Sequence, residues 1–303
     1  FLLTTRMGDR RYLLVGWLWF AGMLFPVAGF VPVGFHWLAD RFTYLPSIGL
    51  AIAVVFGAAD LVAKKRFGRP VAAVLVAVVA GIMIPMTMAQ TRLWKDDLTL
   101  YRHTLERTGD NPIIHFNLGC AYRDAGRLGQ AVKEFEMALA IDPDYVAASI
   151  NLGIAYQARG RFADSVRVLE RARVLEPDNV RTQANLGVSL NGAGRTEEAI
   201  LLYRDLLASS PGDPGLLVNQ ALFLVEDSAL RDFAEARRLA IAACRATDDQ
   251  DAQVILALAM VEEAGGCREE ALEAAHWARQ VAAAQGRPDM VQRVDGWVQR
   301  LTR

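Results

Sequence analysis

The sequence predicts an all-α chain in which three transmembrane helices precede an α-solenoid of paired helices. Three observations carry that expectation. Residues 1–91 contain three long uncharged stretches, Tyr12–Phe35, Phe42–Ala59 and Pro70–Thr91. The remainder repeats with a period of 34, the triplet Asn-Leu-Gly starting at Asn117, Asn151 and Asn185. Charge divides at the same place, with eight Lys/Arg against three Asp/Glu before it and 25 against 31 after it. The net charge of -1 over 303 residues is thus the sum of a basic part and an acidic part.

A bilayer core about 30 Å thick takes about 20 apolar residues of helix. The first and third stretches reach that length outright, and the second does so by running past Asp60 to Ala63. Expected spans are about 12–34, 45–63 and 70–90 within a membrane domain, 1–91, with membrane lipids as partners. Arg6, Arg10 and Arg11 precede the first span, and Lys64, Lys65, Arg66 and Arg69 fill the link between the second and third. The positive-inside rule puts both groups on the cytoplasmic face. The loop 36–46 and everything after Thr91 are then expected outside the cytoplasm. Arg outnumbers Lys by 29 to 4, which points to a GC-rich bacterial source and a plasma membrane. Phe1 at the start leads to the expectation that the chain is the C-terminal part of something longer.

Residues 92–303 read as repeats of two helices. Pro143, Pro177 and Pro211 keep the 34-residue step, and each closes a second helix because proline cannot continue the hydrogen-bond ladder. Unit one places Leu118, Gly119 and Tyr122 on its first helix and Ala131, Phe135 and Ala138 on its second. Unit two offers Leu152, Gly153, Tyr156, Leu169 and Ala172, and unit three Leu186, Gly187, Ala199 and Tyr203. These residues resemble the tetratricopeptide repeat (TPR) pattern. The expected organisation is a half repeat at 98–111, repeats at 112–145, 146–179, 180–213, about 214–251 and about 252–285, and a capping helix at 288–303. Gly119, Gly153 and Gly187 fall where the two helices of a unit would cross.

Composition excludes several function classes. Apolar content of 53% with almost no net charge argues against disorder. Three scattered cysteines, Cys120, Cys244 and Cys267, make no disulfide scaffold. The charge balance gives no reason to expect nucleic-acid binding. No metalloprotease, paired CxxC, Walker, dinucleotide or nucleophile-elbow motif is present, so no metal is expected. Two candidate sites remain. Asn117, Asn151, Asn185 and Asn219 form a row that could grip the backbone of a polypeptide, since an amide offers donors and an acceptor; the alternative is an ordinary consensus residue. A lysine clamp for carboxylate tails is disfavoured, because Lys133 is the only lysine after Lys95. In the loop 36–46, His36, Asp40, Arg41 and Tyr44 are candidates for a lipid-linked phosphate, Arg41 being planar, multidentate and always charged.

The loop Ala39-Asp40-Arg41-Phe42-Thr43-Tyr44-Leu45-Pro46, then Trp94-Lys95-Asp96, then TPRs, resembles the transmembrane and TPR-containing O-mannosyltransferases and their bacterial relatives. The resemblance implies a C-type glycosyltransferase with a polyprenyl-phosphate-linked sugar donor. It also implies acidic catalytic residues in a first outside loop upstream, so no catalytic residue is expected in this segment. The expected function is the C-terminal portion of such a protein, its TPR superhelix binding an acceptor polypeptide or a partner protein. The competing expectation is a non-catalytic, membrane-anchored TPR scaffold.

Overall fold

The computed structural model describes residues 95–226 and 230–302, together with isolated positions between 18 and 92. The chain divides into two compact units, Phe1–Arg92 and Leu93–Arg303. In the second unit the described residues form twelve α-helices and no strand. They are α1 (Asp97–Thr108), α2 (Pro112–Asp124), α3 (Leu128–Ile141), α4 (Val146–Gln157), α5 (Phe162–Leu175) and α6 (Val180–Gly192). Then come α7 (Thr196–Ser209), α8 (Pro214–Glu226), α9 (Phe233–Ala246), α10 (Ala252–Ala264), α11 (Arg268–Ala284) and α12 (Pro288–Leu301).

The fold class is corrected to an all-α TPR-like solenoid without the three transmembrane helices. Among the described residues no helix is long and apolar enough to cross a membrane. The physical reason lies in the length and polarity of these helices. The longest, α11, has 17 residues and carries Arg268, Glu269 and Glu270 in its first turn, whereas a span takes about 20 apolar residues. Of the stretches expected to span, the first is described only at Leu18, the second not at all, and the third at ten of its 22 positions, all helical.

Six of the twelve described helices begin at a side-chain cap. Asp96 caps α1, its carboxylate accepting from Thr99 N at 2.8 Å, and that bond lowers its pKa. Asn111 caps α2 with Pro112 in the first turn. Asn179, Asp213, Asp232 and Asp251 do the same for α6, α8, α9 and α10. Within units one to three the turn between the two helices is the same device. Gly126, Gly160 and Gly194 take positive φ of 71°, 70° and 80°. The next residue's N–H then closes on the preceding helix, as Arg127 does on Tyr122 O at 2.8 Å.

Packing follows the repeat. Each crossing glycine faces a buried side chain from its own second helix: Gly119 meets Phe135, Gly153 meets Leu169, and Gly187 meets Tyr203. Phe135, Leu169 and Tyr203 are all fully buried. A Cβ at Gly187 would lie 2.3 Å from the Tyr203 ring, so the two helices approach as closely as they do only because no side chain intervenes. One apolar core runs from Val146 to Trp297, and a smaller one around Phe135 joins α1 to α2, α3 and α4. α12 buries Met290, Val294 and Trp297 and turns Gln292, Arg293, Gln299 and Arg300 outward.

Candidate functional site

The first helices of successive units touch one another: α2 packs on α4, α4 on α6, α6 on α8, and α8 on α10. Among the described residues no second helix packs comparably on the next second helix. The stack is therefore tighter along its first helices, and these line its concave side.

The asparagine row lies on those helices, but its amides are engaged unequally. Asn151 is buried, and both of its ends are used: Nδ2 donates to Ala147 O at 2.8 Å, and Oδ1 accepts from the Arg123 guanidinium. Arg123 is itself paired with Asp124 at 2.9 Å. Asn185 is half-buried and donates to Arg181 O at 2.8 Å. Asn219 donates to the Tyr203 hydroxyl at 3.1 Å, and Tyr203 in turn donates to Ala184 O at 2.8 Å. Asn117 is half-buried on α2. The four residues thus share a face without sharing a state, and Asn151 is wired into the fold.

A second row, which the sequence reading missed, lies three residues further along each first helix. Cys120, Ile154, Val188 and Leu222 are half-buried, and the equivalent Met260 on α10 is 38% exposed. Cys120, Ile154, Val188 and Leu222 each pack one side against the core and leave the other open, and with the exposed Met260 they give the concave face an uncharged, mostly aliphatic stripe across five units. The Cys120 thiol is pushed up by burial, which keeps it protonated and makes it part of that apolar surface. The signal was available, because the same 34-residue step that aligns the asparagines aligns Cys120, Ile154, Val188 and Leu222.

A third row, Arg123, Gln157 and Asn191, stitches one unit to the next. Gln157 donates to Asn185 O at 2.8 Å and to Ser189 Oγ at 2.7 Å, and Asn191 donates to Glu226 at 2.6 Å. Ser189 continues inward to Ser165 at 2.7 Å, and Ser165 to Gly153 O at 2.9 Å. These bonds cross the joints between units two, three and four and fix how the first helices line up.

His36, Asp40, Arg41 and Tyr44 lie outside the described residues, as does Trp94. Asp96 of the Trp-Lys-Asp segment is a helix cap. Among the described residues no group of three His, Cys, Asp or Glu side chains is placed to hold a metal ion.

A stack of helix pairs with a glycine at each crossing, a glycine turn within each unit and a concave row of first helices is a TPR array. Residues 150–214 match a family model described as tetratricopeptide repeat, and residues 119–159 one described as TPR repeat. The chain is similar to a protein O-mannosyl-transferase of Caenorhabditis elegans, 31% identical over 118 residues, or 38% of this chain and 16% of that protein. It is also similar to the protein O-mannosyl-transferase TMTC1 of Mus musculus, 29% identical over 136 residues, or 42% of this chain and 14% of that protein. The matched part thus spans about a sixth of these curated relatives. Among solved structures, a thermophilic TPR protein of Thermus thermophilus aligns with TM-score 0.52 and 20% identity, over 62% of this chain and 100% of that one, a likeness of fold.

Proposed function

We propose that the array binds a polypeptide segment along its concave face, with apolar side chains of the segment on the stripe Cys120, Ile154, Val188, Leu222 and Met260. The observation that supports this is the stripe itself: five open, uncharged side chains on five consecutive first helices. A surface helix that needed only to fold would put polar residues there. The asparagines contribute groups that make no bond among the described residues, chiefly the Oδ1 of Asn185 and the amide of Asn117, to the backbone of the bound segment.

The similarity to protein O-mannosyl-transferases supports a wider reading. The array is the recognition part of a longer glycosyltransferase-like protein and presents an acceptor polypeptide to chemistry carried elsewhere. On that reading His36, Asp40, Arg41 and Tyr44 serve the phosphate of a lipid-linked sugar donor. Loss of glycosyl transfer and donor binding on Arg41→Ala is the expected result in a protein that has the activity.

The groove itself is tested by screening arrayed peptides on the full chain and on the double variant Ile154→Gln/Val188→Thr, with helicity checked by circular dichroism. Binding lost in the variant supports the reading. Peptides that bind both proteins equally would place the binding surface elsewhere.

A further inference from the structure

The stripe is neutral, and two acidic side chains stand near it at the C-terminal ends of adjacent first helices. Glu226 is the last residue of α8, and Glu263 is next to last in α10, which packs directly on α8. Both are exposed. Their neighbours on the stripe share their helix faces: Leu222 is four residues before Glu226, and Met260 three before Glu263.

These two carboxylates are placed against local preference. A helix C-terminus carries partial negative charge and favours cations, yet neither α8 nor α10 has a basic residue in its last turn. Among the described residues neither Glu226 nor Glu263 is paired with Lys or Arg, while the adjacent Glu262 is paired with Arg237 at 2.7 Å. Asp124 ends α2 in the same way but is neutralised by Arg123 at 2.9 Å. Glu226 is held in place by the Asn191 amide, which donates to it at 2.6 Å while the Asn191 Oδ1 lies buried without a partner. An oriented, uncompensated charge at a position that disfavours it is what a binding surface leaves for its ligand.

We propose that the occupant of the groove is a basic, apolar polypeptide segment. Its aliphatic side chains lie on the stripe, and an Arg or Lys lies against Glu226 and Glu263. The apolar stem of that cation covers Leu222 and Met260 while its head reaches the two carboxylates. The proposal rests on the groove reading above and adds the charge of the partner.

The test uses the full chain and two labelled synthetic peptides of alternating Val and Ser, identical except for Arg or Glu at one position near an end. Fluorescence polarisation at low salt is expected to show the Arg peptide binding about tenfold tighter than the Glu peptide. That preference should collapse in Glu226→Gln/Glu263→Gln, with helicity unchanged, and should weaken with added salt. Equal affinity of the two peptides for the wild-type chain, with both lost in Ile154→Gln/Val188→Thr, would retain the groove and overturn the acidic end. A preference for Arg that survives the double Gln variant overturns it as well. Failure of both peptides to bind overturns both readings.

Discussion

Replacing Gly187 by alanine adds a single methyl group, and its cost can be worked from the contacts around it. The new Cβ would lie 2.3 Å from Cε2 and 2.6 Å from Cδ2 of Tyr203. That ring has nowhere to go. It is fully buried, its hydroxyl donates to Ala184 O at 2.8 Å and accepts from Asn219, and it stands edge-on to Phe223 with centroids 5.1 Å apart. Overpacking a filled core costs about 1–3 kcal/mol. Shifting the ring also weakens the hydroxyl bonds, for about 1 kcal/mol more. Alanine's better helix propensity returns about 1 kcal/mol. The expected net destabilisation is about 2 kcal/mol, within the range of those terms. Two controls make the argument sharp. At Gly153 the Cβ meets Leu169 at 2.8–3.0 Å, a flexible side chain with no hydrogen bond to lose, so the cost should be about 1 kcal/mol or less. Gly296, inside α12, has nothing within 4 Å, so Gly296→Ala should stabilise by up to about 1 kcal/mol. Urea unfolding followed by far-UV circular dichroism gives the order. Gly187→Ala as stable as the parent, or Gly296→Ala the worst of the three, would refute the reasoning.

Other outcomes follow from the same geometry. Asn151→Ala should cost about 1–2 kcal/mol, more than Asn185→Ala, because it removes one bond and strips Arg123 of an acceptor; a double-mutant cycle with Arg123→Ala reads the coupling. Burial pushes Tyr203 up to about 12, and burial together with the Glu136 hydrogen bond does the same for Tyr156. The folded state then holds protons that the unfolded state gives up from about pH 10. Stability should be unaffected below about pH 10 and fall as pH rises from there through 12, a fall that Tyr203→Phe should make shallower in urea titrations at several pH values. Trp297→Ala should cost about 3–5 kcal/mol, since Trp297 is one of three side chains that α12 buries. A variant ending before Pro288 should gain dye-binding apolar surface, and failure to do so would deny α12 its capping role.

The repeat was legible in the sequence because it is local and periodic. Asn-Leu-Gly at 117, 151 and 185, and proline at 143, 177 and 211, announce helix pairs of fixed length, and the structure has them there. The crossing glycines could be assigned from the same period, since only a missing side chain lets two helices meet so closely. The expectation of transmembrane helices came from hydropathy and the division of charge, and among the described residues no helix meets the length and apolarity it requires.

The candidate site was legible only in part. Period 34 marks which residues share a row, so the asparagine row could be named, and the stripe from Cys120 to Leu222 could have been. Period says nothing of what each side chain does with its hydrogen bonds. Arg123 and Asn151 are 28 residues apart, and their pairing exists because α2 and α4 are stacked. The same holds for Asn191 and Glu226, which are 35 apart and joined across the α6–α8 joint. The sequence by itself determined the helix pairs, their period and the rows they make, because those depend on neighbours a few residues away. Only the tertiary structure decided which amides are consumed internally, which apolar side chains stay open and which carboxylates lack a cation, because each depends on what an adjacent unit places against it.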